Sequence, residues 1–146
     1  MNRKTNNRGA DWLLWAGALL CLGVSSLLLA QSAAAGDAWK APERAGKKPN
    51  PVVSSPETIA AGKLIYTKQC LSCHGAKGLG DGPGAKDLQK KPHSIVSPDT
   101  IAQSDGELFW KITTGRKPMP TYEKLLTEEQ RWQVINYVRT LKEDKP

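Results

Sequence analysis

The stretch Cys70-Leu71-Ser72-Cys73-His74 decides how this 146-residue chain is organised. Its spacing is the attachment pattern of c-type haem. Two thiols three positions apart can each add across one vinyl group of a porphyrin, which leaves thioether bonds to Cys70 and Cys73. The histidine that follows then lies beside the macrocycle, where a ring nitrogen of His74 can bind the iron. The motif therefore predicts one covalently bound haem c.

Two other kinds of site use similar residues. A thiol–disulfide redox motif also has the form Cys-x-x-Cys, but it needs a βαβ setting and a cysteine at the start of a helix. Here the pair follows a helical pattern, and no strand-rich segment precedes it. A structural zinc site needs four Cys or His ligands, and the only histidine beyond the motif is His93. Both alternatives are therefore weaker than haem.

The N-terminus has the order of a secretory signal. Residues 1–11 carry three basic side chains against one acidic one, and residues 12–30 are uncharged and mostly apolar. Ala33 and Ala35 then satisfy the small-x-small cleavage rule. The apolar stretch is close to the roughly 20 residues that span a bilayer. We favour a signal peptide over residues 1–35, with an uncleaved membrane anchor as the alternative.

The remaining residues 36–146 carry a modest positive charge. They hold 18 Lys and Arg against 13 Asp and Glu, a formal charge of +5. The excess is spread along the chain, so it gives little support to nucleic-acid binding. It is better suited to transient docking on an acidic redox partner protein.

Short helices and long loops are predicted after the leader. Residues 36–55 contain three prolines and no periodic apolar pattern, which indicates an extended arm or linker. A first helix is predicted over about residues 56–69, with Ser55 as its N-cap and Pro56 at its first position. It places Ile59, Gly62, Leu64, Ile65 and Tyr66 on an apolar stripe.

Two further helices are signalled by capping boxes. Ser104 and Glu107 open one that Gly115 ends, and Thr127 and Gln130 open the last. No β-alternation of useful length is present in the sequence. Residues 56–146 are therefore expected to form one all-α domain in which a cofactor supplies much of the core.

In this order of parts the chain resembles the class I (monohaem) cytochromes c over about residues 56–142. The resemblance rests on Gly62 and Tyr66 in the first helix, on the Cys70–His74 motif, and on Pro118-Met119-Pro120 before a C-terminal helix. It implies a cytochrome c-like fold packed around one haem. It also implies that a backbone carbonyl in the Gly-rich loop accepts the free ring proton of His74, and Pro83 is the best candidate.

Met119 is predicted as the second iron ligand. A thioether opposite His74 raises the reduction potential and blocks small-molecule binding. Met119 is the only methionine besides Met1, and the prolines on both sides hold its loop rigid. The alternatives are that Met119 only fills the core and that His93 is the axial ligand.

Two tryptophans and a tyrosine have expected roles near the haem or the helix crossing. Trp110 either donates its indole proton to a haem propionate or packs in the core. Tyr137 is expected to pack on Gly62, where the first and last helices cross, with Trp132 as the alternative.

The expected function is that of a small periplasmic one-electron carrier. A low-spin iron held by His74 and Met119 changes by one electron with little ligand rearrangement. Three alternatives follow from the same residues: a dedicated cytochrome subunit of a dehydrogenase or terminal oxidase, a membrane-tethered form, and an open-site haem sensor. No acid/base cluster indicates hydrolytic or group-transfer catalysis. The exposed haem edge is expected to be ringed by lysines, drawn from Lys77, Lys86, Lys90, Lys91, Lys117 and Lys124.

Overall fold

The computed structural model describes residues 39–141, so the predicted leader lies outside the described part of the chain. A compact unit begins at Lys40. Within the described residues there is no β-strand, only an isolated bridge between Arg116 and Met119. None of the described helices is long and apolar enough to cross a membrane. The helices are α1 (Glu43–Gly46), α2 (Pro56–Gln69), α3 (Leu71–His74), a 3-10 helix (Pro83–Asp87), α4 (Pro98–Ile101), α5 (Asp105–Thr114) and α6 (Glu128–Val138).

The three predicted helix starts are confirmed. Ser55, Ser104 and Thr127 each accept a hydrogen bond from the backbone N–H three residues on, and each start is a reciprocal capping box. Gly115 ends α5 in the left-handed region, at φ +62°. Helices this short need such caps, since they satisfy the free N–H groups of the first turn.

Helices α2 and α6 cross at Gly62. A Cβ there would lie 2.0 Å from the carbonyl oxygen of Gln133 and 3.0 Å from the Cβ of Tyr137. Only glycine allows this approach. The rings of Tyr66 and Tyr137 pack beside it, with centroids 5.2 Å apart. The expected packing of Tyr137 on Gly62 is therefore present.

Trp132 lies elsewhere, between α5 and α6. It is fully buried and stacks on Phe109, with ring centroids 4.0 Å apart and planes 13° apart. Leu108 and Ile135 complete this core cluster. The buried aromatic pair fixes how the last two helices pack.

Leu64 was expected on the apolar stripe of α2, and the structure corrects this. Its side chain is 66% exposed, whereas Gly62 and Tyr66 are buried. The reason is geometric: two residues along an α-helix turn the side chain by about 200°. Leu64 therefore points away from both.

The described part of the expected arm packs against the domain. Residues 43–46 form α1, and the hydroxyl of Ser104 donates a 3.0 Å hydrogen bond to the carbonyl oxygen of Gly46. Asn50 donates a 2.8 Å hydrogen bond to the side chain of the buried Asn136 on α6. Lys48 lies over the ring of Phe109, 4.6 Å from its centroid. The polar arm thus covers the α5–α6 aromatic cluster.

Candidate haem site

The Cys70–His74 motif follows directly after helix α2. The helix ends at Gln69, where the backbone N–H of Cys70 still donates to the carbonyl of Tyr66 at 2.8 Å. The next turn, α3, carries Cys73 and His74, whose backbone N–H groups both donate to the carbonyl of Cys70. Two thiols and one imidazole therefore lie on a single turn of chain.

The glycine-rich loop folds back onto this turn. Gly80 and Gly82 donate backbone hydrogen bonds to the carbonyls of His74 and Cys73, at 2.9 and 3.2 Å. A Cβ at Gly82 would lie 2.3 Å from the carbonyl oxygen of Ser72. These bonds satisfy carbonyls that a four-residue helix leaves free. The loop therefore fixes the position of the motif.

Tyr66 anchors the residue after His74. Its phenol donates a buried 2.7 Å hydrogen bond to the carbonyl oxygen of Gly75, which has φ +77°. Burial raises the pKa of Tyr66, and the neighbouring Cys70 adds to the increase. The sequence pattern gives Tyr66 a packing role only, because an apolar stripe does not show where a phenol points.

Burial affects the ionisation of Cys70 and of His74. Cys70 and Cys73 are both free, and burial raises the pKa of Cys70 to about 12, with a further contribution from Cys73. Burial lowers the pKa of His74, a change that the backbone of His93 opposes. A neutral imidazole is the form that binds a metal.

One buried atom of His74 lacks a partner. Its Nδ1 is shielded from solvent and has no hydrogen bond of acceptable geometry. Because Nδ1 is buried and the backbone of His93 affects this ring, the other ring nitrogen, Nε2, is the one left to bind a metal. With two free thiols on the same turn, a covalently held porphyrin is the group that fits these residues.

Met119 lies on the loop between α5 and α6. Its backbone N–H donates to the carbonyl of Arg116 at 2.9 Å, and its side chain is partly buried. A Cβ at Gly115, where the loop begins, would lie 2.4 Å from the carbonyl oxygen of Pro120. The turn around Met119 is therefore tightly closed. Its role as an iron ligand stays a prediction.

Tyr122 links the Met119 loop to the motif. Its phenol donates a 2.8 Å hydrogen bond to the carbonyl of Gln69, the residue before Cys70. Burial raises the pKa of Tyr122 to about 12, and Cys70 and Cys73 add to the increase. No signal in the sequence singles out this tyrosine.

The structure gives less direct support to the other residues considered as parts of the site. Pro83 begins the 3-10 helix and is exposed, and no hydrogen bond joins it to His74 in the described chain. The backbone group that affects the pKa of His74 is that of His93. The ring of His93 is exposed and its Nε2 lies 2.8 Å from Asp99. Trp110 is partly buried, whereas its neighbour Phe109 is in the core. The roles of Pro83 and Trp110 stay predictions.

Residues 57–138 match the family model described as cytochrome c oxidase, cbb3-type, subunit III. The chain belongs to this family of class I cytochromes c. The all-α, cytochrome c-like fold expected from the sequence is thereby confirmed. The family is one of electron-transfer proteins that carry covalently bound haem c and its iron.

Relatives of this cytochrome c differ widely in size. Cytochrome c6 of Rippkaea orientalis (strain PCC 8801 / RF-1) is 38% identical over 80 residues, which are 54% of this chain and 67% of that protein. Quinohemoprotein alcohol dehydrogenase ADH IIB of Pseudomonas putida is 31% identical over 104 residues, 67% of this chain but 13% of that protein. The same domain thus occurs alone and within a large enzyme.

A solved structure agrees with this cytochrome c fold. A chain of the Kuenenia stuttgartiensis reducing HAO-like protein complex superposes with a TM-score of 0.58 at 33% identity. The alignment covers 64% of this chain and 47% of that one.

Proposed function

We propose that this cytochrome c is a periplasmic one-electron carrier with one haem, attached through Cys70 and Cys73 and ligated by His74 and Met119. The observation that carries the proposal is the placement of two free thiols and the imidazole of His74 on a single turn of chain. When bound, the haem iron supplies a one-electron couple. Burial lowers the pKa of His74, which favours the neutral imidazole that binds a metal.

The surface charge suits a transient electron carrier. The six lysines named above as the expected ring are all exposed. Weak, small interfaces and electrostatic steering let a carrier bind and leave quickly. An acidic redox protein is the partner that this surface would attract.

Absorption spectra of the protein, matured in a host with c-haem machinery, test this function. We expect a low-spin c-type spectrum, a methionine–ferric charge-transfer band and no carbon monoxide binding to the ferrous form. Met119→Ala should remove the band and admit carbon monoxide, whereas His93→Gln should change neither. A high-spin native spectrum would contradict the proposed ligation and favour an open-site sensor. The mass of the mature chain tests cleavage near Ala35, which is expected for a periplasmic form.

A dedicated subunit of an oxidoreductase complex is the second candidate. It is favoured by the similarity to a chain of a reducing HAO-like protein complex and to part of an alcohol dehydrogenase. The described arm gives it no support, since residues 43–52 pack on their own domain. Co-purification of a larger partner at native expression would favour the subunit, and a monomer would favour the free carrier.

A further inference from the structure

Arg131 is a buried cation beneath the segment that follows Met119. Its side chain, on the first turns of α6, is 7% exposed. Its Nη1 lies within hydrogen-bonding distance of three backbone carbonyls, those of Tyr122 (3.3 Å), Glu123 (3.0 Å) and Leu126 (3.1 Å). Burying a guanidinium is costly unless its hydrogens find acceptors. The hydrogens of Nη1 find acceptors on one loop, whereas the buried Nε makes no hydrogen bond within the described residues. The Nη1 bonds therefore hold the loop in place.

The same loop is fixed on its other side by Tyr122. The phenol reaches Gln69 next to the motif, as described above, while the backbone N–H of Tyr122 donates to the carbonyl of Ile112 on α5 at 3.2 Å. Tyr122 is three residues after Met119 and Gln69 is one residue before Cys70. A short chain of hydrogen bonds therefore connects α6, the Met119 loop and the turn that carries the thiols.

We propose that Arg131 and Tyr122 form a brace that fixes Met119 relative to His74. Both are positioning residues, and the inference rests on the ligation of iron by Met119 proposed above. Without the brace, the loop would have to be ordered each time the methionine binds, and that entropy would weaken the bond. A weaker thioether bond lets an exogenous ligand compete and lowers the reduction potential.

Arg139 provides a matched control. It also lies at α6, its Nε is 2.8 Å from Asp105, and its Nη groups donate to the carbonyls of Ile101 and Gln103. It therefore makes a comparable set of hydrogen bonds, but to the segment that runs from the end of α4 to the start of α5. That segment holds no expected iron ligand. Substitution of Arg139 should lower stability without changing the methionine bond.

The experiment compares haem-loaded Arg131→Met, Arg131→Lys and Tyr122→Phe with Arg139→Met and Arg139→Lys. The readouts are carbon monoxide affinity of the ferrous form, intensity of the methionine–ferric band, reduction potential, and urea unfolding by circular dichroism. We expect the ferrous Arg131→Met and Tyr122→Phe proteins to bind carbon monoxide, which the wild type does not, with about twofold tighter binding to Arg131→Met. In both variants the methionine–ferric band should weaken and the reduction potential should fall. Arg131→Lys should show smaller changes in both than Arg131→Met.

The Arg139 variants decide between a positioning and a merely structural role. They should unfold at lower urea concentration than the wild type. Their methionine–ferric band, reduction potential and carbon monoxide response should be unchanged. If the Arg131 and Tyr122 variants behave like the Arg139 variants, the brace is refuted while the ligation stands. If the wild type itself lacks the band, the proposed ligation has failed instead. If Arg131→Met does not fold, the Arg131→Lys and Tyr122→Phe proteins can be compared with the Arg139 variants in the same way.

Discussion

The phenol of Tyr66 donates a 2.7 Å hydrogen bond to the carbonyl oxygen of Gly75, immediately after His74. The donor lies on α2 and the acceptor follows α3, so one buried bond joins the helix crossing to the turn that carries Cys73 and His74. The ring of Tyr66 also packs on Tyr137 of α6. The crossing of the first and last helices therefore determines where the imidazole is held.

Tyr66→Phe should destabilise the protein by about 1–2 kcal/mol, because it leaves the buried carbonyl of Gly75 without its donor. The ring pair with Tyr137 is kept. Urea unfolding of the haem-loaded protein measures the change. Tyr137→Phe removes the hydroxyl of the neighbouring ring instead and should lower the free energy of unfolding by less. An equal loss in both variants would contradict a special role for the Gly75 bond.

Gly62→Ala should cost about 3 kcal/mol or more, since its Cβ would meet the backbone oxygen of Gln133 rather than a movable side chain. Gly46→Ala is the control, because a Cβ there meets only side-chain atoms at 3.5 Å or beyond. It should be close to neutral. Thermal unfolding compares the two, and similar midpoints would mean that α2 and α6 can separate without cost.

Asn136→Ala should cost about 2 kcal/mol, because this buried amide joins the arm to α6 and α2. It donates to the carbonyl of Val52 at 3.1 Å and to the hydroxyl of Thr58 at 3.3 Å, and it accepts from Asn50. Gln133→Ala removes an amide whose hydrogen bond reaches only the exposed Glu129. That control should change stability by about 0.5 kcal/mol or less.

Lys48→Met should raise the pKa of Glu128 toward its ordinary value. The hydrogen bond from Lys48 is the main cause that holds this pKa low, and the indole of Trp132 is the second. Because the native pKa lies below the unfolded one, the stabilisation is complete above the ordinary carboxyl pKa and is lost as pH falls through the native value. Carboxyl titration by NMR measures it. Lys47→Met should leave the pKa of Glu128 unchanged, since Lys47 forms its ion pair with Glu43.

Lys117→Glu should slow oxidation by ferricyanide severalfold at low ionic strength, because positive charge steers an anion and Lys117 belongs to the proposed lysine ring at the haem edge. The effect should disappear at high salt. Lys63→Glu on α2 changes the net charge equally and is the control. Stopped-flow rates that fall equally in both variants would remove Lys117 from the docking surface.

Local signals in the sequence were sufficient for the three longest helices, α2, α5 and α6, and for the motif, but not for the short helices such as α1. Ser55, Ser104 and Thr127 begin their helices as predicted, because a capping bond spans only three residues and depends on side chains that the sequence displays. The spacing of Cys70, Cys73 and His74 likewise places all three on one helical turn. In these cases local chemistry alone decides the outcome.

Hydrogen bonds between distant segments were decided by the tertiary structure alone. Tyr122 and Gln69 are 53 residues apart, and Asn50 and Asn136 are 86 apart. A phenol or amide in a sequence shows that a partner is needed but not which carbonyl will be near, since that depends on how α2, α5 and α6 pack. The sequence by itself therefore determined which residues can hold a haem. Only the tertiary structure determined that the buried Arg131 and the loop residue Tyr122 are bonded around the segment that follows Met119. The reason is that their partners are backbone atoms that folding brings together.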